Sequence, residues 1–191
     1  SDLYAFDGLS KFDIIQPGDL IHCDFGISYL TLNTDTQELG YILKPGETKA
    51  PEYLINALKE GNRVQDIFTN NFVVGVSGNE ILKKSLEEGR DEGLRPSIYT
   101  HPLGTYGHSA GTTIGMWDSQ GGVPFTGDYP LQYNTAYAIE LNTTVYIEEW
   151  KKDIRIMLEV PGFFGKDGFR YIKGRQTEYI LIGPNQEGLT Y

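Results

Sequence analysis

The chain has 191 residues, 39% apolar and 22% charged, enough for one domain with a proper core and too few for two comfortable ones. A formal net charge of -10 argues against nucleic acid or an anionic membrane as the main partner, since each calls for a basic face. No apolar run approaches the roughly 18 residues that span a bilayer, no basic stretch followed by apolar residues marks a secretory leader at the start, and the single Cys23 excludes an internal disulfide or a cysteine-rich metal site; the compartment stays open. The acidity has two readings: plain solubility, or convergence of some carboxylates on cations that offset their mutual repulsion.

In chain order, Pro17-Gly18 marks a turn, and Asp19–Tyr29, with its alternating apolar residues, predicts a strand. A second strand is predicted over Leu32–Leu43, ending at Pro45-Gly46. After Pro51, a residue suited to a first helical turn, Leu54, Ile55, Leu58, Val64, Ile67 and Phe68 approach helical spacing. Ser77 and Glu80 form a capping-box pattern. Ile81, Leu82, Ser85, Leu86 and Gly89 then share one helical face, and Gly93 with Pro96 stops the helix. From Tyr99 to about Gly127 the chain is Gly-rich and reads as irregular. Strands are predicted over Ala136–Ile147, Ile154–Val160 and Tyr179–Ile182. A hairpin, two helices and then several strands make an α+β domain.

Asp24 and Asp35 lie eleven residues apart on the two predicted hairpin strands, where antiparallel pairing sets such positions side by side. Two bare carboxylates so placed repel unless a divalent ion sits between them; strand-end aspartates facing water are the plainer account. Two of the three histidines fall in His101-Pro-Leu-Gly-Thr-Tyr-Gly-His108, either incidental residues of a loop or one imidazole on a metal and one on substrate. Glu140 and Glu159 each interrupt an apolar run, which is costly in a buried strand unless the carboxylate is paired or coordinated, and unremarked on an edge strand.

The order Asp, Asp, His, Glu, Glu, with that first spacing, resembles the pita-bread superfamily of methionine aminopeptidase, Xaa-Pro aminopeptidase, prolidase and creatinase. Pro17-Gly-Asp-Leu-Ile-His-Cys-Asp24-Phe-Gly is similar to its "PGD…D-G" strand, and Asn33-Thr-Asp35-Thr to its "S-D-x-T" strand. His101-Pro-Leu-Gly104…His108 resembles "H-G-x-G…H", Ala138-Ile-Glu140 resembles "T-I-E-P", and Arg155-Ile-Met-Leu-Glu159 with Gly168 resembles the "R-I-E-D…T-x-x-G" close of the prolidase branch. The chain departs from the pattern at Leu141, where the family has Pro, and at Ser109, where it has an acidic residue. Gln37 and Glu38 occupy the region of a missing Arg, and Leu158 is an extra residue before Glu159. A family histidine upstream of the first Asp is absent. His22 shares a strand face with Asp24 and is either structural or a partial stand-in for it. The stretch Gly-Arg-Gln-Thr-Glu178 offers Glu178 as a rival fifth ligand to Glu159.

The resemblance implies an α+β pita-bread fold, a curved and mostly antiparallel sheet flanked by helices. Residues 1–191 are expected to be a single catalytic domain lacking its N-terminal part or an upstream domain, since only 23 residues precede Asp24. The implied metal ligands are Asp24, Asp35, His101, Glu140 and Glu159, holding two divalent ions (Mn, Co, Zn or Fe), with Asp35 and Glu159 bridging. Glu140 is implied to transfer the proton, and His108 to contact the substrate carbonyl or the oxyanion. The expected activity is that of an exopeptidase of the Xaa-Pro aminopeptidase or prolidase type acting on a peptide substrate; whether it works as a homodimer stays open. A catalytically inactive pita-bread domain that binds a peptide or protein, and a metal-free creatinase-like hydrolase, are the rivals.

Overall fold

In the computed structural model, which describes residues 14–183, the chain builds a sheet from β1 (Leu20–Phe25), β4 (Thr36–Ile42), β8 (Lys152–Gly165), β7 (Thr135–Ile147) and β5 (Pro96–Ile98), neighbours in that order. Beside this path, β6 (His101–Pro102) pairs with β7, β9 (Gly168–Tyr171) with β8, and β10 (Ile180–Ile182) with β4. Among the described residues only the β10–β4 pair is parallel. A small separate hairpin, β2 (Ser28–Tyr29) with β3 (Leu32–Asn33), stands between β1 and β4.

Helices α1 (Glu52–Asn70) and α2 (Gly78–Asp91) pack on one face of this sheet. In α1 the buried residues Leu54, Ala57, Leu58, Gly61, Val64 and Phe68 recur every three to four positions, while Glu52, Lys59 and Arg63 face outward. In α2, Ser77 accepts from the Glu80 amide and the Glu80 side chain accepts in return from the Ser77 amide, closing the capping box. The helix ends before Gly93, whose φ of 81° needs glycine. Strand β7 shows why the sheet has two different faces. Its Tyr137, Ile139, Leu141, Val145 and Ile147 join the core with Leu54, Leu58, Phe68, Ile81, Leu82, Ile156 and Leu158, so the alternate positions Glu140, Asn142 and Thr144 take the opposite face. Full burial of each such Leu, Ile or Phe side chain stabilises the fold by roughly 1.5–3 kcal/mol.

Strand β4 meets β8 at a single bridge, Gln37 opposite Glu159. Beyond it the side-chain amide of Gln176 accepts from the Leu39 N–H at 2.9 Å and donates to the Leu39 carbonyl at 2.8 Å. From Gly40 onward β10 takes over the pairing.

Several sequence expectations need correction. The hairpin is interrupted: the chain leaves the sheet after Phe25, turns through β2 and β3, and re-enters at Thr36, so Asp35 precedes a strand and does not lie in one. The Gly-rich stretch from Tyr99 is not wholly irregular, because β6 and the bridge between Thr100 and Ile114 pin it to the sheet. Strand β8 runs on to Gly165 and turns into β9, a pair the predicted Ile154–Val160 strand stops short of.

Gly115 closes the segment that holds Thr100 to Ile114. Its φ is 75°, and a Cβ there would overlap the Ile98 carbonyl oxygen and approach Leu82; Gly46 has a φ of 86° and open space around it. Gly46→Ala is therefore expected to cost about 1–2 kcal/mol, the backbone penalty alone, and Gly115→Ala clearly more. Urea unfolding of the two variants checks this, and equal losses would mean that the close approach at Gly115 carries no energy.

Candidate metal centre

Backbone register alone lines up most of the site. Asp24 lies opposite Gln37, Gln37 opposite Glu159, and Glu159 opposite Glu140, one row across β1, β4, β8 and β7. Directly opposed residues share a face, so three carboxylates and one amide are set side by side. His101 on β6 pairs with Ala138, two residues before Glu140 on the same face of β7. Asp35 arrives from the interrupted hairpin. The Asn33 amide N–H donates to Gly104 O at 2.9 Å and its side chain to Thr105 O at 2.5 Å, tying that hairpin to the histidine loop.

At the centre, His101 Nε2 stands 3.7 Å from Asp35 Oδ2, 3.7 Å from Glu140 Oε2 and 3.7 Å from Glu159 Oε1. That is too long for hydrogen bonds. His101 and Glu159 are only 4% and 3% exposed, and among the described residues neither His101 Nε2 nor Glu159 Oε1 has a hydrogen-bond partner. His101 Nδ1 lies 3.2 Å from the Pro102 carbonyl; donating there puts the proton on Nδ1 and leaves a lone pair on Nε2 facing three carboxylate oxygens. Two ligand atoms each about 2.1 Å from a shared tetrahedral ion lie about 3.4 Å apart. The donor set, the histidine tautomer and the orphaned buried atoms all fit a divalent cation.

Three groups of candidate ligand atoms lie within 4.8 Å of one another: Asp35, His101 and His108; His101, Glu140 and Glu159; and Asp24, Asp35 and Glu159. Asp35, His101 and Glu159 each occur in two of them. His108, expected on substrate, is exposed and stacks on His101 with ring centroids 3.8 Å apart, so it borders the ligand atoms as well as the solvent. Glu178 is exposed and belongs to none of the groups. His22 belongs to none of the groups, and its Nε2 is 2.8 Å from Gln37 Oε1. Gln37 itself, 4% exposed, also donates to Glu140 Oε1 and Glu159 Oε2. It entered the sequence reading only as a departure, although it sits two residues before the apolar pair Leu39 and Tyr41, a polar residue on a buried stripe.

The electrostatics are those of crowded acid groups. Burial, then the neighbouring Glu159, pushes Glu140 up to about 8. Burial is also the main cause of the raised Asp35 and Glu159 values, to which Asp24 adds. For His101, burial opposes the charge, but Glu159, the Pro102 carbonyl and Glu140 outweigh it and raise the pKa. Burial and the adjacent His101 lower that of His108.

A mostly antiparallel sheet with two helices on one face is the pita-bread fold. Several solved structures that share it carry the names of peptidases. An X-Pro aminopeptidase from Thermotoga maritima superposes with a TM-score of 0.64 at 20% identity, over 88% of this chain and 43% of that one. An Xaa-Pro dipeptidase from Bacillus anthracis gives 0.64 at 18%, over 93% and 45%, and a methionine aminopeptidase from Rickettsia prowazekii gives 0.59 at 14%, over 82% and 65%. The N-terminal domain of a FACT complex subunit from chickpea also matches, with a TM-score of 0.62 at 12% identity, over 86% and 38%. At these identities the likeness is one of fold, and the chain spans less than half the length of the first two. No protein-family model and no curated protein matches the sequence. No helix among the described residues is long and apolar enough to cross a membrane.

The raised acids make the metal-free chain pH-sensitive. Folded, Glu140 holds its proton up to about pH 8, against 4.5 as its ordinary value. The folded chain then binds more protons than the unfolded chain over that window, and stability falls as pH rises. The raised Asp35, Glu159 and His101 act in the same sense; the lowered His108 opposes them below its unfolded value. The chelator-treated protein is expected to show a lower Tm at pH 8 than at pH 6. Glu140→Gln is expected to flatten that slope, and added divalent ion to reverse it, because ions compete with protons for the same atoms. Differential scanning calorimetry checks it; a Tm that rises with pH in chelator contradicts the assignment.

Proposed function

We propose that the chain is the catalytic domain of a metal-dependent exopeptidase that hydrolyses the N-terminal bond of a peptide, of the Xaa-Pro aminopeptidase or prolidase type. The observation that carries this reading is the buried, unpartnered His101 Nε2 held equidistant from oxygens of Asp35, Glu140 and Glu159. In this reading Asp24, Asp35, His101, Glu140 and Glu159 would hold two divalent ions, Asp35 and Glu159 serving both. Oxygen-rich ligation with one imidazole suits Mn²⁺, Co²⁺, Fe²⁺ or Zn²⁺. Bound there, the ions supply Lewis acidity and activate a water for attack on the amide carbon.

The chain's own residues do the rest. Glu140, at the edge of the His101 cluster, would take a proton from the attacking water and deliver it to the leaving nitrogen. His108, whose pKa burial and the adjacent His101 lower, stands at the exposed edge of the site and would donate an N–H to the substrate carbonyl or to the oxyanion. The row geometry keeps these groups on one face, so a substrate lying along that face meets base, ions and donor together.

A second reading is a domain that binds a peptide or protein without cleaving it; the same fold occurs in the N-terminal domain of a FACT complex subunit, a component of a multiprotein assembly. Metal analysis and hydrolysis of Xaa-Pro dipeptides separate the two. Glu140→Gln is expected to lose about 10²–10⁴-fold in turnover. His108→Ala should lower turnover while keeping most of the metal. Asp35→Ala should abolish both ion sites, and Asp24→Ala chiefly one. A fully metal-loaded parent inert toward peptides, and inert also in a longer form of the protein, would leave the binding domain as the answer.

A further inference from the structure

We propose that Gln37 is a positioning residue of this centre: its side-chain amide selects which oxygen of Glu140 and which of Glu159 faces the shared cation, and His22 fixes the amide in turn. The inference rests on the metal-centre reading and concerns two residues that reading does not use. Gln37 is buried in the middle of the row, between Asp24 on β1 and Glu159 on β8. Its Nε2 donates to Glu140 Oε1 at 2.8 Å and to Glu159 Oε2 at 3.1 Å. The two oxygens left over, Glu140 Oε2 and Glu159 Oε1, are those that stand 3.7 Å from His101 Nε2. One NH₂ group thus spends its two hydrogens on one oxygen from each glutamate and turns the other oxygen of each toward the imidazole.

The direction of the network follows from chemistry. With a cation bound, both glutamates are ionised and only accept, so the NH₂ of Gln37 faces them and its oxygen faces away. That oxygen lies 2.8 Å from His22 Nε2, which makes Nε2 the donor nitrogen of His22. Donation runs one way, from His22 to Gln37 and from Gln37 to both glutamates. A neutral donor suits the place. Lysine or arginine would satisfy the same oxygens but repel a cation, and an apolar side chain would leave two buried acceptors unpaired. Ligands held by such outer hydrogen bonds keep their orientation, and losing the bond typically weakens a metal site by 10- to 100-fold.

Calorimetric titration with Co²⁺, together with the visible spectrum of the bound ion, tests this on the parent, Gln37→Met, His22→Phe and His22→Gln. Gln37→Met is expected to bind Co²⁺ about 10- to 100-fold more weakly, with altered visible bands as the carboxylates reorient. His22→Phe should shift affinity and bands in the same direction, and His22→Gln, whose amide can still donate to Gln37 Oε1, should restore them. A purely structural role would lower Tm without moving the bands. Parent-like affinity and spectrum in Gln37→Met overturn the proposal. If Gln37→Met does not fold, the same result in His22→Phe overturns it. A parent that binds no Co²⁺ overturns the metal-centre reading and this inference together. A parent that binds, with unchanged variants, removes this inference and leaves the metal centre standing.

Discussion

Repulsion among carboxylates packed in one row is the constraint around which the molecule is arranged. Two unit charges 4 Å apart at an effective dielectric of 20 repel by about 4 kcal/mol, and Asp35, Glu140 and Glu159 each come within 3.7 Å of a single imidazole nitrogen. The fold relieves this with His101, with the amide of Gln37 and, without ions, by letting Glu140 keep its proton. None of this would hold if the strands could slip. Register is enforced from the opposite face, where Ile139, Leu141, Ile156 and Leu158 are buried against the helices. A slip of one residue would send the glutamates into that core. The apolar layer therefore does more than stabilise: it fixes the acids at a separation they would not choose.

Much of this was legible in the sequence, for identifiable reasons. Helix α2 announced itself through Ser77 and Glu80, and β7 through its largely apolar run over Ala136–Ile147, both local signals. The residues singled out for chemistry, Asp24, Asp35, His101, Glu140 and Glu159, are drawn to one place; for Glu140 and Glu159 the hint was local, a charged residue set in an apolar run, while the set as a whole came from the resemblance. What stayed hidden depends on contacts distant in sequence. The break in the first hairpin comes from β2 and β3 docking on the histidine loop through Asn33, which no local pattern encodes. Gln37 passed for a substitution in a motif, because its neighbours Glu140 and Glu159 lie more than a hundred residues away.

The superpositions and the site geometry speak to different questions. Backbone likeness to peptidases at 14–20% identity accounts for the sheet, the helices and the row of strand positions. It is equally satisfied by the FACT complex subunit domain. Chemistry has to be argued from atoms, above all from a buried imidazole nitrogen whose lone pair meets three acids and no donor.

The Gln176 side chain holds a further consequence. By supplying one donor and one acceptor to Leu39, it impersonates a single residue of a neighbouring strand and fills the wedge where β4 diverges from β8. The sheet is in effect two leaves joined along a narrow seam, with Asp24 on one leaf, Glu140 and Glu159 on the other, and Gln37 at the stitch. An ion gripped from both sides would act as a rivet through that seam. Its binding energy would add directly to the work of parting the leaves, so that mechanical cohesion and occupancy of the centre become one property.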